Sequence, residues 1–151
     1  MVVWYKLIIS VALCLAIGFF SGFFIQTGDG SWYSTLDKPT FNPPGYLFGI
    51  VWIILYICIG LALYFLWVSN AKLALLFFFV QLMLNFLWSF FFFYLQAPLL
   101  AFIEICFLLA SIILTMVFAY TTSPTAVYLF IPYLLWVCFA AILNLSIYLL
   151  N

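Results

Sequence analysis

The chain has 151 residues, of which 72% are hydrophobic, 24% aromatic and only 4% charged, and its net charge is zero. A water-soluble domain carries about 25% charged residues, so three basic and three acidic side chains cannot cover a globule in water, and the solvent has to be lipid. With no arginine, no basic cluster and no histidine, nucleic-acid binding is excluded and the commonest general base and metal ligand are missing.

A membrane crossing needs about 20 apolar residues. The first such run, about 5–25, follows Lys6; it is longer than the apolar part of a secretory signal and lacks a cleavage site, so it reads as a membrane span. Ser10, Cys14, Gly18 and Gly22 recur along it at four-residue spacing and make a groove for close approach of another backbone, within the chain or across a dimer.

A connecting loop follows at 26–44. It carries Asp29, Asp37 and Lys38, and the stretch from Trp32 to Gly45 holds Pro39, Pro43 and Pro44. Proline fixes its own φ and pushes the preceding residue out of the helical region, so this segment is expected to be a stiff lid. Trp32 and Tyr33 have two readings, as an aromatic belt at headgroup depth or as binding groups on that lid.

Four more runs are expected to span, at about 45–68, 73–94, 99–120 and 126–149. The turns 69–72 and 95–98 are so short that successive spans have to be antiparallel and are expected side by side. The fold class is therefore an all-α integral membrane protein, a single transmembrane domain over residues 1–151 built as an antiparallel five-helix bundle. Lys6 and Lys72 fall on the N-terminal face with no acid beside them, which favours that face as cytoplasmic.

Within the second span, Phe48, Trp52 and Tyr56 share a face; within the third, Gln81, Asn85, Trp88 and Ser89; within the fifth, Tyr133, Trp136, Ala140 and Asn144. With a rise of 1.5 Å per residue, Trp52 and Asn85 lie roughly 12 to 14 Å below the lid face, Trp88 roughly 9 Å, Glu104 and Asn144 roughly 7 to 8 Å, and Trp136 about 20 Å. The opposite half offers mainly Ser10, Ser111 and Thr115, the last two able to bond back to their own helix. Polar and aromatic groups gathered under the lid point to a cavity open towards it. Glu104, the acid inside a span, is a candidate ligand or proton-relay group. Amides in hydrocarbon need partners, so Gln81, Asn85 and Asn144 are expected to face inward, as interhelical ties or as ligand contacts. Cys14, Cys58, Cys106 and Cys138 stand singly in apolar runs and read as buried hydrophobes, so no metal site is expected.

The pattern Trp32-Tyr33, Leu36, Lys38-Pro39, Pro43-Pro44, Phe48, Trp52 and Tyr56, followed by Gln81, Asn85, Trp88-Ser89 and then Pro132-Tyr133, Trp136, Ala140 and Asn144, closely resembles the translocator protein family. This family comprises the tryptophan-rich sensory proteins of bacteria and the peripheral benzodiazepine receptor of mitochondria. The resemblance implies a five-helix bundle, often dimeric, in a bacterial cell membrane, that binds porphyrins such as protoporphyrin IX and in some members sterols. It implies a pocket made of Tyr33, Pro43, Trp52, Asn85, Trp136 and Ala140, to which depth adds Trp88 and, as further candidates, Phe48, Tyr56, Glu104 and Asn144. It also implies an alternative in which Trp52 and Trp136 take part in light- and oxygen-dependent porphyrin degradation, and a second in which porphyrin or sterol is transported. No cofactor is required, porphyrin being the ligand. Phe41 stands where many relatives have Trp, and no basic residue follows Tyr148, so the C-terminal sterol motif of the mitochondrial members is missing.

Overall fold

The computed structural model describes residues 3–151. Among the described residues, five helices are long and apolar enough to cross a membrane: α1 (Trp4–Gly22), α3 (Gly45–Val68), α4 (Lys72–Ser89) continued by a wider π turn (Phe90–Tyr94), α5 (Pro98–Ala119) and α6 (Pro124–Leu150). A single helical turn, α2 (Trp32–Thr35), lies in the loop between α1 and α3. The chain is a multi-pass integral membrane protein.

Helix ends follow local chemistry. Proline opens both α5 and α6, where its missing N–H costs nothing. The two tight turns are closed by Asn70 and Gln96, both at φ 52°. Asparagine tolerates that left-handed conformation; for glutamine it is uncommon and costs the turn some strain. Within the lid, Ser31 caps α2 by accepting from the Ser34 amide at 3.3 Å, which makes one helical turn that proline spacing had not led us to expect. The proline-rich remainder, from Leu36 to Pro44, is non-helical.

The helices close into a ring in the order α1, α3, α6, α5, α4 and back to α1. This bears out side-by-side packing across the turn 95–98 and corrects it for the turn 69–72. The turn after α3 sets α4 antiparallel to it, but their principal neighbours are other helices: α1 and α6 for α3, and α5 and α1 for α4. A short connection constrains chain direction at one end, while side-chain shape decides which helices touch along their length.

The α1–α3 seam shows that selection. Ser10 and Cys14 are fully buried, and the backbone of α1 approaches Gly60 so closely that a Cβ there would sit 2.7 Å from the Cα of Val11. A Cβ on Gly18 would sit 2.4 Å from the Tyr56 ring. The small-residue groove of α1 is thus filled by α3 of the same chain from Ser10 to Gly18, while Gly22 opens onto free space. In lipid, where burial of apolar surface gives helices little reason to associate, such close packing and hydrogen bonds between helices do that work.

Candidate functional site

Between the lid-side halves of the helices lies a cavity of about 670 Å³, within the roughly 300–1,000 Å³ typical of ligand pockets. Its wall is overwhelmingly apolar. The helix-face groupings put Phe48, Trp52 and Tyr56 of α3, Asn85 and Trp88 of α4, and Trp136, Ala140 and Asn144 of α6 on it, with Tyr33 of α2 closing the lid end.

Aromatic rings pack edge to face and offset around this space, as their quadrupoles prefer. Phe48 and Trp136 meet edge-on with centroids 5.9 Å apart, Trp52 and Tyr56 are tilted at 5.5 Å, and Trp88 stacks on Phe92 at 5.2 Å. Ala140, small and on the same wall, leaves the space beside Trp136 open.

Two of the candidates stand elsewhere. Pro43 is off the wall: its carbonyl accepts from the Asn42 side chain at 3.2 Å, and the residue shapes the lid without facing the cavity. Glu104 is only 6% exposed and also off the wall, which α5 reaches through Ile105 and Leu108. Among the described residues, neither carboxyl oxygen of Glu104 has a hydrogen-bond partner.

The buried amides are bound mainly to the protein itself. Tyr56 Oη donates to Asn85 Oδ1, Asn85 Nδ2 donates to Tyr133 Oη at 3.0 Å, and Tyr133 Oη donates to Gln81 Oε1 at 2.8 Å. That chain of bonds ties α3, α4 and α6 together at the floor of the cavity. Nearer the lid, Trp88 Nε1 donates to Asn144 Oδ1 at 3.0 Å, and Asn144 Nδ2 donates to the Pro98 carbonyl at 2.8 Å. Ser111 and Thr115 bond back to their own helix at 2.8 Å each, as their place in the apolar half implies.

Several wall residues had no signal in the sequence. Ser21 of α1 donates to Ser89 of α4 at 2.8 Å beside the cavity. The π turn brings Phe92 and Phe93 onto the wall, where they pack against Tyr33 at 6.3 and 5.7 Å. An extra residue per turn of this kind re-aims side chains that an unbroken α-helix would direct elsewhere. On α1 and α3 the wall includes Phe19 and Ile53, which are 68% and 58% exposed on the outer surface.

The lid is anchored at both ends of its proline-rich stretch. Tyr33 Oη donates to Asn42 Oδ1 at 3.0 Å, and partial burial raises the Tyr33 phenol above its usual range. The Asn151 side chain clasps the backbone of Asp37, accepting from its N–H and donating to its C=O at 2.9 Å each. Phe41 packs edge-on against Phe139 at 6.3 Å and stays off the wall.

The sequence model of the TspO/MBR family matches residues 10–150. A tryptophan-rich protein TspO from Archaeoglobus fulgidus is 45% identical over 149 residues, covering 97% of each chain. Another from Chlorobaculum tepidum is 41% identical over 150 residues, covering 96% of this chain and 95% of its own. The human translocator protein is 32% identical over 143 residues, covering 90% of this chain and 85% of its own. This chain belongs to the TspO/MBR family.

Proposed function

We propose that this member of the TspO/MBR family is a membrane receptor or sensor that binds a flat, hydrophobic ligand of the porphyrin class, with protoporphyrin IX the leading candidate. The observation that carries the reading is the cavity under the lid, walled by the indoles of Trp52, Trp88 and Trp136 and left open at Ala140. Offset stacking of a planar guest on such rings contributes about 0.5 to 1.5 kcal/mol per pair beyond burial.

The wall also favours a metal-free macrocycle over haem. Histidine is absent, and the phenols of Tyr56 and Tyr33 already donate to Asn85 and Asn42, so no wall residue stands ready as an axial ligand.

Quenching of tryptophan fluorescence by protoporphyrin, on wild type and on Ala140→Phe, tests the proposal. The added ring fills the guest's space, so affinity is expected to fall by about tenfold or more while the helices stay folded, in keeping with the cost of overpacking. Unchanged affinity in the variant would sink it.

Trp52 and Trp136 on one wall also favour a second reading, light- and oxygen-dependent breakdown of the bound pigment. Bleaching of protoporphyrin under illumination that slows in Trp52→Phe and Trp136→Phe, at equal occupancy, would establish turnover; equal bleaching in all three proteins would leave binding alone.

A further inference from the structure

The polar groups around the cavity are largely spoken for. Tyr56, Asn85, Tyr133 and the Gln81 carbonyl bond one another, Trp88 and Asn144 bond each other, and Ser21 bonds Ser89. Apart from the Trp136 Nε1–H, which has no partner among the described residues, a guest meets hydrocarbon and ring faces, and a carboxylate buried among them would regain little for its lost hydration. An anionic guest can be accommodated only with its charge held at an edge.

The lid end supplies that edge. Lys38 Nζ lies 4.7 Å from the centroid of the Tyr33 ring, which is itself cavity wall, and donates to the Leu36 carbonyl at 3.0 Å. An ammonium has three donors, and this bond uses one of them. Lys38 is half-buried, and among the described residues neither Asp29 nor Asp37 pairs with it. Its backbone position is held by the clasp of Asn151 on the adjoining Asp37. The other lysines stand at the opposite end of the bundle: Lys6 near the start of α1, over the Trp67 ring at 5.1 Å, and Lys72 at the start of α4.

We propose that Lys38 is a specificity-determining residue that selects guests carrying a carboxylate, with the flat apolar body under the lid and the acid group at the edge of Tyr33. The inference rests on the porphyrin-class reading and adds an orientation to it. The flexible four-carbon stem lets the ammonium leave the Tyr33 face and meet an acid one ring's thickness away, forming a charge-assisted hydrogen bond stronger than the neutral contact it replaces.

The test compares protoporphyrin, a diacid, with its dimethyl ester, which has the same macrocycle and no charge, on the full chain in detergent. Wild type is expected to bind the diacid about tenfold more tightly than the ester, the scale of one hydrogen bond to a charged group. Lys38→Gln should abolish that preference by weakening the diacid and leaving the ester unchanged, and Lys38→Arg should keep it. A diacid-to-ester ratio that is the same in Lys38→Gln as in wild type, or a wild type without preference, overturns the role of Lys38 while ester binding still upholds the cavity. If neither compound binds, both readings fall.

Discussion

Asn85 donates to the phenol of Tyr133 at 3.0 Å across the α4–α6 interface, and this bond sits in the middle of a chain that runs from Tyr56 to Gln81. Asn85, an obvious ligand contact by its depth, has its amide engaged on both sides by the protein's own phenols. Its position on the cavity wall makes it part of the floor that holds the helices at their spacing.

Removing the shared phenol should therefore weaken the bundle. In Tyr133→Phe, Gln81 Oε1 loses its donor and Asn85 Nδ2 its acceptor, and both residues are buried. The expected cost is about 1 to 3 kcal/mol for a stranded buried polar group, read as a lower midpoint of thermal unfolding in detergent. An unchanged midpoint would mean that the chain of bonds contributes nothing to stability.

Glycines on α1 and α3 separate packing from open space. Gly60→Ala places a methyl 2.7 Å from the backbone of Val11, and backbone cannot move aside as a side chain can. The expected destabilisation is about 1 to 3 kcal/mol or more. Gly22→Ala and Gly49→Ala meet nothing within 4 Å among the described residues and should not lower the unfolding midpoint, Gly49→Ala raising it by the helix preference of alanine, about 0.5 to 1 kcal/mol. Equal effects at Gly60 and Gly49 would contradict the α1–α3 seam described above.

Glu104→Leu should stabilise the protein. The substitution removes two buried oxygens that have no partner among the described residues and makes the side chain apolar, so the expected gain is about 1 to 3 kcal/mol. Porphyrin affinity should not change, because the side chain is off the wall. A lower unfolding midpoint would instead reveal a partner for the carboxyl.

The lid clasp can be opened from its far side. Asn151→Ala deletes both bonds to Asp37, so the amide of Asp37 should exchange its hydrogen faster than in wild type, by about thirtyfold for the loss of a net 1 kcal/mol or so from each of the two bonds. Protoporphyrin should also dissociate faster. Unaltered exchange at Asp37 would show that the prolines alone hold the lid.

High pH tests the Tyr33 anchor. Its phenol is raised above 10 in the folded lid, so the neutral form that donates to Asn42 is favoured by folding, and that contribution is complete below the unfolded value of 10. It is lost as pH rises through the higher folded value. Titration followed at the phenolate absorbance, wild type against Tyr33→Phe, should show the Tyr33 component above pH 10; a component at or below 10 would contradict the burial of this ring.

The sequence by itself determined the solvent, the five crossings, their alternating direction and the faces on which Trp52, Asn85, Trp136 and Asn144 lie. Those follow from run length and helical period, which are local and survive any arrangement of neighbours. Only the tertiary structure decided the order of helices around the ring, because Gly18 and Gly60 select α3 for α1 by shape across more than forty residues of chain. It also decided that Asn85 and Asn144 spend their amides on Tyr133 and on Trp88, that Glu104 turns off the cavity wall, and that Asn151 reaches the lid. A hydrogen bond requires two partners within about 3 Å, and the periodicity of one helix carries no information about what the facing helix presents.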